Sequence, residues 1–394
     1  MKSTKFRIPL YLFVVTLYWL SLYAYIPYLA PYAESMGASY RLVGLILGSY
    51  GLIQLVIRIP LGILSDSIRR RKIFIIVSLL LALISSLGFM YFPNPYLMLF
   101  FRAIAGAAAA GWVIFTVLFS SYFGDKDAPK AIGYISSCSF TGQVVALLLG
   151  AVAAQYFSWK LTFGIAIIAS FLGFILSFAI IESKPEIRVK IEISKFSVIR
   201  ENKNLVSVSL LAILTQIITY ATMYGFTPLL AKDIGANNFE LGILTALAII
   251  PGIFISSLTG FFTERFGERP TIVCGFLMMT IYSITIPFLG HIYFLYLAQF
   301  MGGIGRNLIF PLLMGLSIKG VATEIQGTAM GVFQALYSLG MFAGPIILGF
   351  VSEYSGLNFG FIFIGFISLL GAILTLKIIN TSSLPKVNLF GRYN

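Results

Sequence analysis

Charge is what this chain has least of. Charged residues are 10% of its 394 positions, against about a quarter in a soluble globular protein. With 59% hydrophobic residues and a mean hydropathy of +0.95, that scarcity excludes water as the main solvent of the fold. The two cysteines, Cys138 and Cys274, sit in separate apolar runs and give neither a disulfide framework nor a metal-ligand spacing. No Gly-x-x-x-x-Gly-Lys-Ser/Thr loop occurs, so ATP is not the direct energy source, and no cofactor is expected. A membrane-embedded enzyme would need acid–base groups at depth, yet the single histidine, His291, lies at the edge of a run and no carboxylate lies within one.

What is present is apolar length. A bilayer span needs roughly 20 apolar residues, and twelve such runs lie between residues 8 and 379. They are too long, and too rich in Gly and Ala, for the alternating strands of an outer-membrane barrel. The expected fold is therefore all-α and integral to the membrane. Lys2, Lys5 and Arg7 precede the first run as in a secretory signal, but Leu10 to Ile26 is long for a signal core and lacks a convincing cleavage site, which favours a first transmembrane helix.

The net charge of +13 would suggest a nucleic-acid partner in a soluble protein, but its placement argues against one. Twenty-one of the 27 Lys and Arg fall on one set of alternate loops, Arg41, Lys160 and Lys232 on the other set, and Arg58, Arg102 and Arg306 within runs. By the positive-inside rule this predicts a multi-pass protein of the cytoplasmic membrane with both termini cytoplasmic. The lipid bilayer is its expected partner, and a monomer its expected state.

The chain repeats itself. Gly37 matches Gly235, Gly44 matches Gly242, Gly62 matches Gly260, Gly133 matches Gly331 and Gly142 matches Gly340, each pair 198 residues apart. The loop from Gly62 through Asp66 to Arg69, Arg70, Arg71 and Lys72 returns as Gly260, Glu264, Arg265 and Arg269. Six spans per copy give both copies the same orientation. The division follows: a six-helix bundle over 1–181, a polar cytoplasmic linker over 182–203, and a second six-helix bundle with a short tail over 204–394.

These residues resemble the major facilitator superfamily, whose loop after helix two has the pattern Gly-x-x-x-Asp-Arg/Lys-x-Gly-Arg-Arg/Lys. Gly62, Asp66, Arg70 and Arg71 fit it, while Ser67 and Arg69 depart from it. Arg102 before Gly106 is similar to the family's helix-four motif. The Gly-Pro of its antiporter motif is missing at Gly142-Gln143 and stands instead at Gly344-Pro345 in helix eleven. The resemblance implies two pseudo-symmetric six-helix bundles that alternately expose a central site, with Gly62, Asp66, Arg70, Glu264 and Arg265 as gating residues. Asp66 would address the start of helix eleven, Glu264 the start of helix five, and Arg70 would pair with Asp125 or Asp127. The plainer alternative is that these cations only set topology.

Arg58, Arg102 and Arg306 lie deep within spans, where a charge costs ~2.5–3.5 kcal/mol and normally faces a cavity or a partner. With no carboxylate beside them, they favour an anionic substrate, since guanidinium grips carboxylate and phosphate in a fork. The alternative is that Arg58 snorkels, Arg102 binds helix carbonyls, and Arg306 stands alone. Tyr50 and Gln54 share a helix face with Arg58; Gln216, Tyr220 and Tyr224 share another. Gln334 and Tyr337 on helix eleven, with Gln143 on helix five and Asn307 beside Arg306, complete the candidate substrate wall. Tyr11, Tyr18, Tyr25 and Tyr32 recur every seventh residue; packing explains such a stripe, although Tyr18 and Tyr25 are candidates.

The leading expectation is a secondary transporter of a small organic solute, with an anion favoured. Coupling to a proton or another ion would use Glu34, another rim carboxylate or the substrate's own proton, and uniport is the alternative. The alternatives are a proton-coupled drug exporter, or a channel or lipid-handling protein of the same fold.

Overall fold

The computed structural model describes residues 2–68, 70–123, 128–182, 203–318 and 326–379. Among them are twelve helical runs long and apolar enough to cross a membrane, and no strand. The first half comprises α1 (Lys2–Tyr23 continued by Ile26–Ser35), α2 (Tyr40–Ile68), α3 (Arg71–Tyr91), α4 (Pro95–Ala110 and Trp112–Ser120), α5 (Ala128–Tyr156) and α6 (Trp159–Ser177). The second comprises α7 (Lys203–Ala221, a π turn at Thr222–Phe226, then Thr227–Asp233), α8 (Asn238–Phe266), α9 (Glu268–Thr285 with a 3-10 turn at Ile286–Phe288), α10 (Ile292–Ile318), α11 (Gln326–Ser355) and α12 (Leu357–Ile378).

Proline has no amide to give the preceding turn, and its effect here depends on position. Pro27, Pro228 and Pro287 each follow a break, and so open a new stretch where the missing amide costs nothing. Pro251, Pro311 and Pro345 are carried inside continuous helices, which neighbouring helices permit in a membrane. Leu148, Phe171, Phe254 and Phe366 are exposed on the outside of the bundle, a surface suited to lipid.

The halves meet chiefly where α2 packs on α11 and α5 on α8. Lipid gives helices no hydrophobic drive to associate, so close backbone approach has to supply it. A Cβ on Gly44 would lie 2.5 Å from the carbonyl oxygen of Pro345, and one on Gly48 2.7 Å from that of Phe342. At the pseudo-symmetric contact, Gly242 abuts Ala151 and the Tyr28 hydroxyl.

The repeat is visible at the end of the bundle that carries Glu34. Gly37 and Gly235 both turn the chain with positive φ, 84° and 90°. Ser39 and Asn237 then accept from amides three residues on, Leu42 at 3.4 Å and Glu240 at 3.0 Å. The amide of Arg41 donates to the Glu353 carboxylate of α11 at 3.2 Å, and the amide of Phe239 to the Gln155 side chain of α5, also at 3.2 Å. Both contacts join helix termini of opposite halves. Asn238 adds bonds to Tyr28, Trp159 and the carbonyl of Ala154, and Lys232 lies 3.9 Å from Glu34. Together these contacts seal the Glu34 end.

At the opposite end, near Arg70, several contacts among the described residues lie within the first half. Glu182 accepts from the amides of Arg71 and Lys72 at 2.6 and 3.2 Å, placing a carboxylate on the positive N-terminus of α3. Arg7 and Tyr122 both donate to the carbonyl of Ile181. Arg70 is exposed just before α3, and Arg265 is exposed near the end of α8, with its guanidinium 5.9 Å from the Phe266 ring. Of the expected latch, Gly62 lies within α2, while the side chains of Asp66 and Glu264 and residues Asp125 and Asp127 lie outside the described residues, as does 183–202 of the expected linker.

Candidate functional site

The three membrane-depth arginines are strung on one line of aromatic rings. Arg102 lies over Tyr50 at 4.1 Å; Tyr50 faces Tyr220 at 6.2 Å, and Tyr220 meets Tyr224 at 5.5 Å. Tyr224 flanks Arg306 at 5.8 Å, as Phe310 does from another direction. Phe310 then meets Tyr337 at 5.2 Å, and Tyr337 lies beneath Arg58 at 5.0 Å. A guanidinium over a ring gains ~0.5–2 kcal/mol, more as water is excluded, which helps hold a charge near the middle of α10. The line crosses between the halves at Tyr50–Tyr220 and again at Arg58–Tyr337.

The arginines differ in what they already hold. Arg58 donates to the carbonyl oxygen of Gln334 and the hydroxyl of Ser338, both at 2.9 Å, and to the Gln54 side chain. It is a strap from α2 to α11. Arg102, 3% exposed, keeps Nε and Nη1 without a hydrogen-bond partner, and Arg306 and Arg58 each keep Nε without one. The side-chain oxygens of Gln216 and Gln334 are also buried and unpaired. Buried polar atoms normally find partners, so these are where a polar ligand has something to offer. Tyr23, Ile26, Tyr50, Arg102, Tyr220 and Tyr224 line a narrow cavity.

Tyr224 owes its place to the π turn, a rare element that re-aims the side chains after it. A Cβ on Gly225 would lie 2.5 Å from the carbonyl oxygen of Tyr220, so the turn needs glycine there. The carbonyl of Met223 is taken by Gln299 of α10 at 3.1 Å. Gln299 is held by the Tyr282 hydroxyl at 2.6 Å, which is 3.0 Å from the Thr227 hydroxyl. Every member of this network is buried.

The other expected wall residues have local partners. Gln143 is buried and donates to Ser139 at 3.2 Å. Asn307 donates to the carbonyl of Gly303 at 2.8 Å and packs against Gly252 of α8. Tyr18 donates to the carbonyl of Ala108 at 2.8 Å, and Tyr11 to that of Phe115 at 2.8 Å, so this part of the stripe ties α1 to α4. The hydroxyl of Tyr25 lies beside Arg102 and Ser85. Tyr23, off the stripe, is the α1 ring that meets Tyr224, at 6.3 Å. Tyr23, Phe310 and Ser338 were not expected at the site, because helix positions buried on several faces carry no amphipathic signal. Among the described residues no cluster of metal-ligating side chains occurs.

The sequence matches the model of the Major Facilitator Superfamily over residues 11–229 and 208–390. An uncharacterized MFS-type transporter of Methanocaldococcus jannaschii is 25% identical over 346 residues, 84% of this chain and 87% of its own. The bacillibactin exporter of Bacillus subtilis is 23% identical over 339 residues, 81% of this chain and 83% of its own. In fold, the chain is similar to the crystal structure of a nucleoside transporter, with a TM-score of 0.79 at 14% identity, covering 94% of this chain and 100% of that one. With both halves matched, and with twelve spans in two packed bundles, the chain belongs to the major facilitator superfamily and is a multi-pass membrane transporter.

Proposed function

We propose that the protein carries a small organic anion across the cytoplasmic membrane by alternating access, with both termini cytoplasmic. The observation that carries the anion reading is that Arg102 and Arg306, at the junction of the halves, present buried and unpaired N–H groups, whereas Arg58 shares that feature at Nε alone and spends its other nitrogens on bonds across the interface. The carboxylates whose side chains are described, Glu34, Glu182, Asp233, Glu240, Glu268 and Glu353, all lie at or beside helix ends, so no fixed negative charge among them competes for these guanidinium groups. Arg58, already bonded across the interface, holds the halves together, and Arg102 and Arg306 receive the substrate.

The basic loops orient the Arg70 end toward the cytoplasm. The contacts at the Glu34 end then close the outer side in this conformation. Release on the outer side requires breaking those contacts. Export is the favoured direction, by similarity to the bacillibactin exporter. The test is counterflow in proteoliposomes. Saturable exchange of an aromatic carboxylate such as 2-naphthoate, lost in Arg306→Gln, supports the reading; unsaturable linear flux would identify a channel instead.

A further inference from the structure

We infer that the carried anion is planar and aromatic, and that it is held between tyrosine rings contributed by both halves; this rests on the anion reading above. Two ring pairs cross the interface. Tyr50 of α2 and Tyr220 of α7 lie 6.2 Å apart with their planes at 22°, and Tyr23 of α1 and Tyr224 of α7 lie 6.3 Å apart at 84°. All four rings line the cavity. A guanidinium adjoins one ring of each pair: Arg102 over Tyr50 at 4.1 Å, and Arg306 beside Tyr224 at 5.8 Å.

Because each pair takes one ring from either half, any parting of the halves at this depth turns a ring–ring contact into a slot with aromatic walls. A saturated anion entering that slot pairs with a guanidinium but leaves the ring faces without a stacking partner. A planar aromatic anion replaces the lost ring contacts and presents its charge to Arg102 or Arg306 at the same time. The tyrosine hydroxyls and the unpaired oxygens of Gln216 and Gln334 suit polar substituents on such a ring. The preference available from stacking is roughly two- to twelvefold per ring pair.

The test uses the full chain in detergent and three probes: 2-naphthoate, decahydro-2-naphthoate with the same skeleton and charge but no planar ring, and 2-naphthylmethylammonium with the ring but the opposite charge. Calorimetric titration is expected to give 2-naphthoate an affinity about tenfold above its saturated analogue. In Tyr50→Leu, Tyr220→Leu and Tyr224→Leu that ratio falls below about threefold, and because both carboxylates meet the same guanidinium groups the ratio reports the rings apart from any change common to both probes. Equal binding of the two carboxylates by the wild-type protein, or a ratio that no ring variant changes, overturns the aromatic inference and leaves the anion reading standing. Tighter binding of the ammonium probe, or binding of neither carboxylate, overturns the anion reading and this inference with it.

Discussion

The sealed end of the bundle and its mid-membrane site treat the internal repeat in opposite ways. At the Glu34 end the repeat holds position by position. Arg41 bonds Glu353 while Phe239 bonds Gln155, and both members of one contact lie 198 residues from their counterparts in the other. Glu34 and Lys232, which approach to 3.9 Å, are also 198 residues apart. At the site the repeat fails. The positions equivalent to Arg58, Arg102, Arg306 and Tyr50 hold Ser256, Phe300, Ala108 and Ala248. Contacts that close the halves on each other recur at equivalent positions even where the residues differ, because a backbone amide donates and either a carboxylate or an amide oxygen accepts. The residues proposed to hold a solute form one asymmetric group shared by both halves, and duplication places no constraint on them.

The comparison can be broken first at its asymmetric member. Arg306→Gln removes a guanidinium that has no repeat mate to replace it, and charged hydrogen bonds are worth ~1.5–3 kcal/mol. Binding of 2-naphthoate is expected to fall about ten- to a hundredfold, measured by titration. The seal is next. A valine side chain at Gly44 meets the carbonyl oxygen of Pro345, and overpacking of this kind costs ~1–3 kcal/mol. Gly44→Val should raise labelling of a cysteine placed at the Glu34 end and leave anion affinity nearly unchanged in the open state.

Smaller effects sharpen the symmetry argument. Gln155 already performs with an amide what Glu353 performs with a carboxylate, so Glu353→Gln should shift thermal unfolding little, whereas Glu353→Leu leaves the Arg41 amide without its acceptor and costs ~1 kcal/mol. A large loss in Glu353→Gln would mean that charge, and not helix capping, is the working feature. The Lys232–Glu34 pair should matter least. Both side chains are about a third exposed, and such pairs contribute ~0–1 kcal/mol before screening by salt. Glu34→Gln is expected to leave stability within that range.

Much of the fold was legible in the sequence, because lipid demands long apolar runs and the glycines of close helix contacts kept a single spacing. The arginines were legible for a related reason: a charge at membrane depth stands out against an apolar background. The ring line that joins them was only partly so. Tyr50, Tyr220, Tyr224 and Tyr337 followed from sharing a face with polar residues, but α1 offers tyrosines in several directions. The regular stripe put Tyr18 on a carbonyl of α4, and Tyr23 came to the cavity instead. Nothing in the order of residues announces a π turn, since it depends on Gln299 and Tyr282 arriving from other helices. The strap role of Arg58 was hidden too, because its acceptors belong to α11, in the opposite half.

If the asymmetric site governs the symmetric seal, an anion bound at Arg306 changes the separation of the halves at the Glu34 end. Tyr156 and Tyr354 are 75% and 79% exposed at the Glu34 end and are themselves repeat mates, one in each half. Spin labels on Tyr156→Cys and Tyr354→Cys, in a protein with Cys138 and Cys274 replaced, report the separation of the halves by pulsed electron resonance. Saturating 2-naphthoate is predicted to shift that distance distribution, and Arg306→Gln to abolish the shift while keeping the unliganded distribution. An equal shift in both proteins would contradict the account.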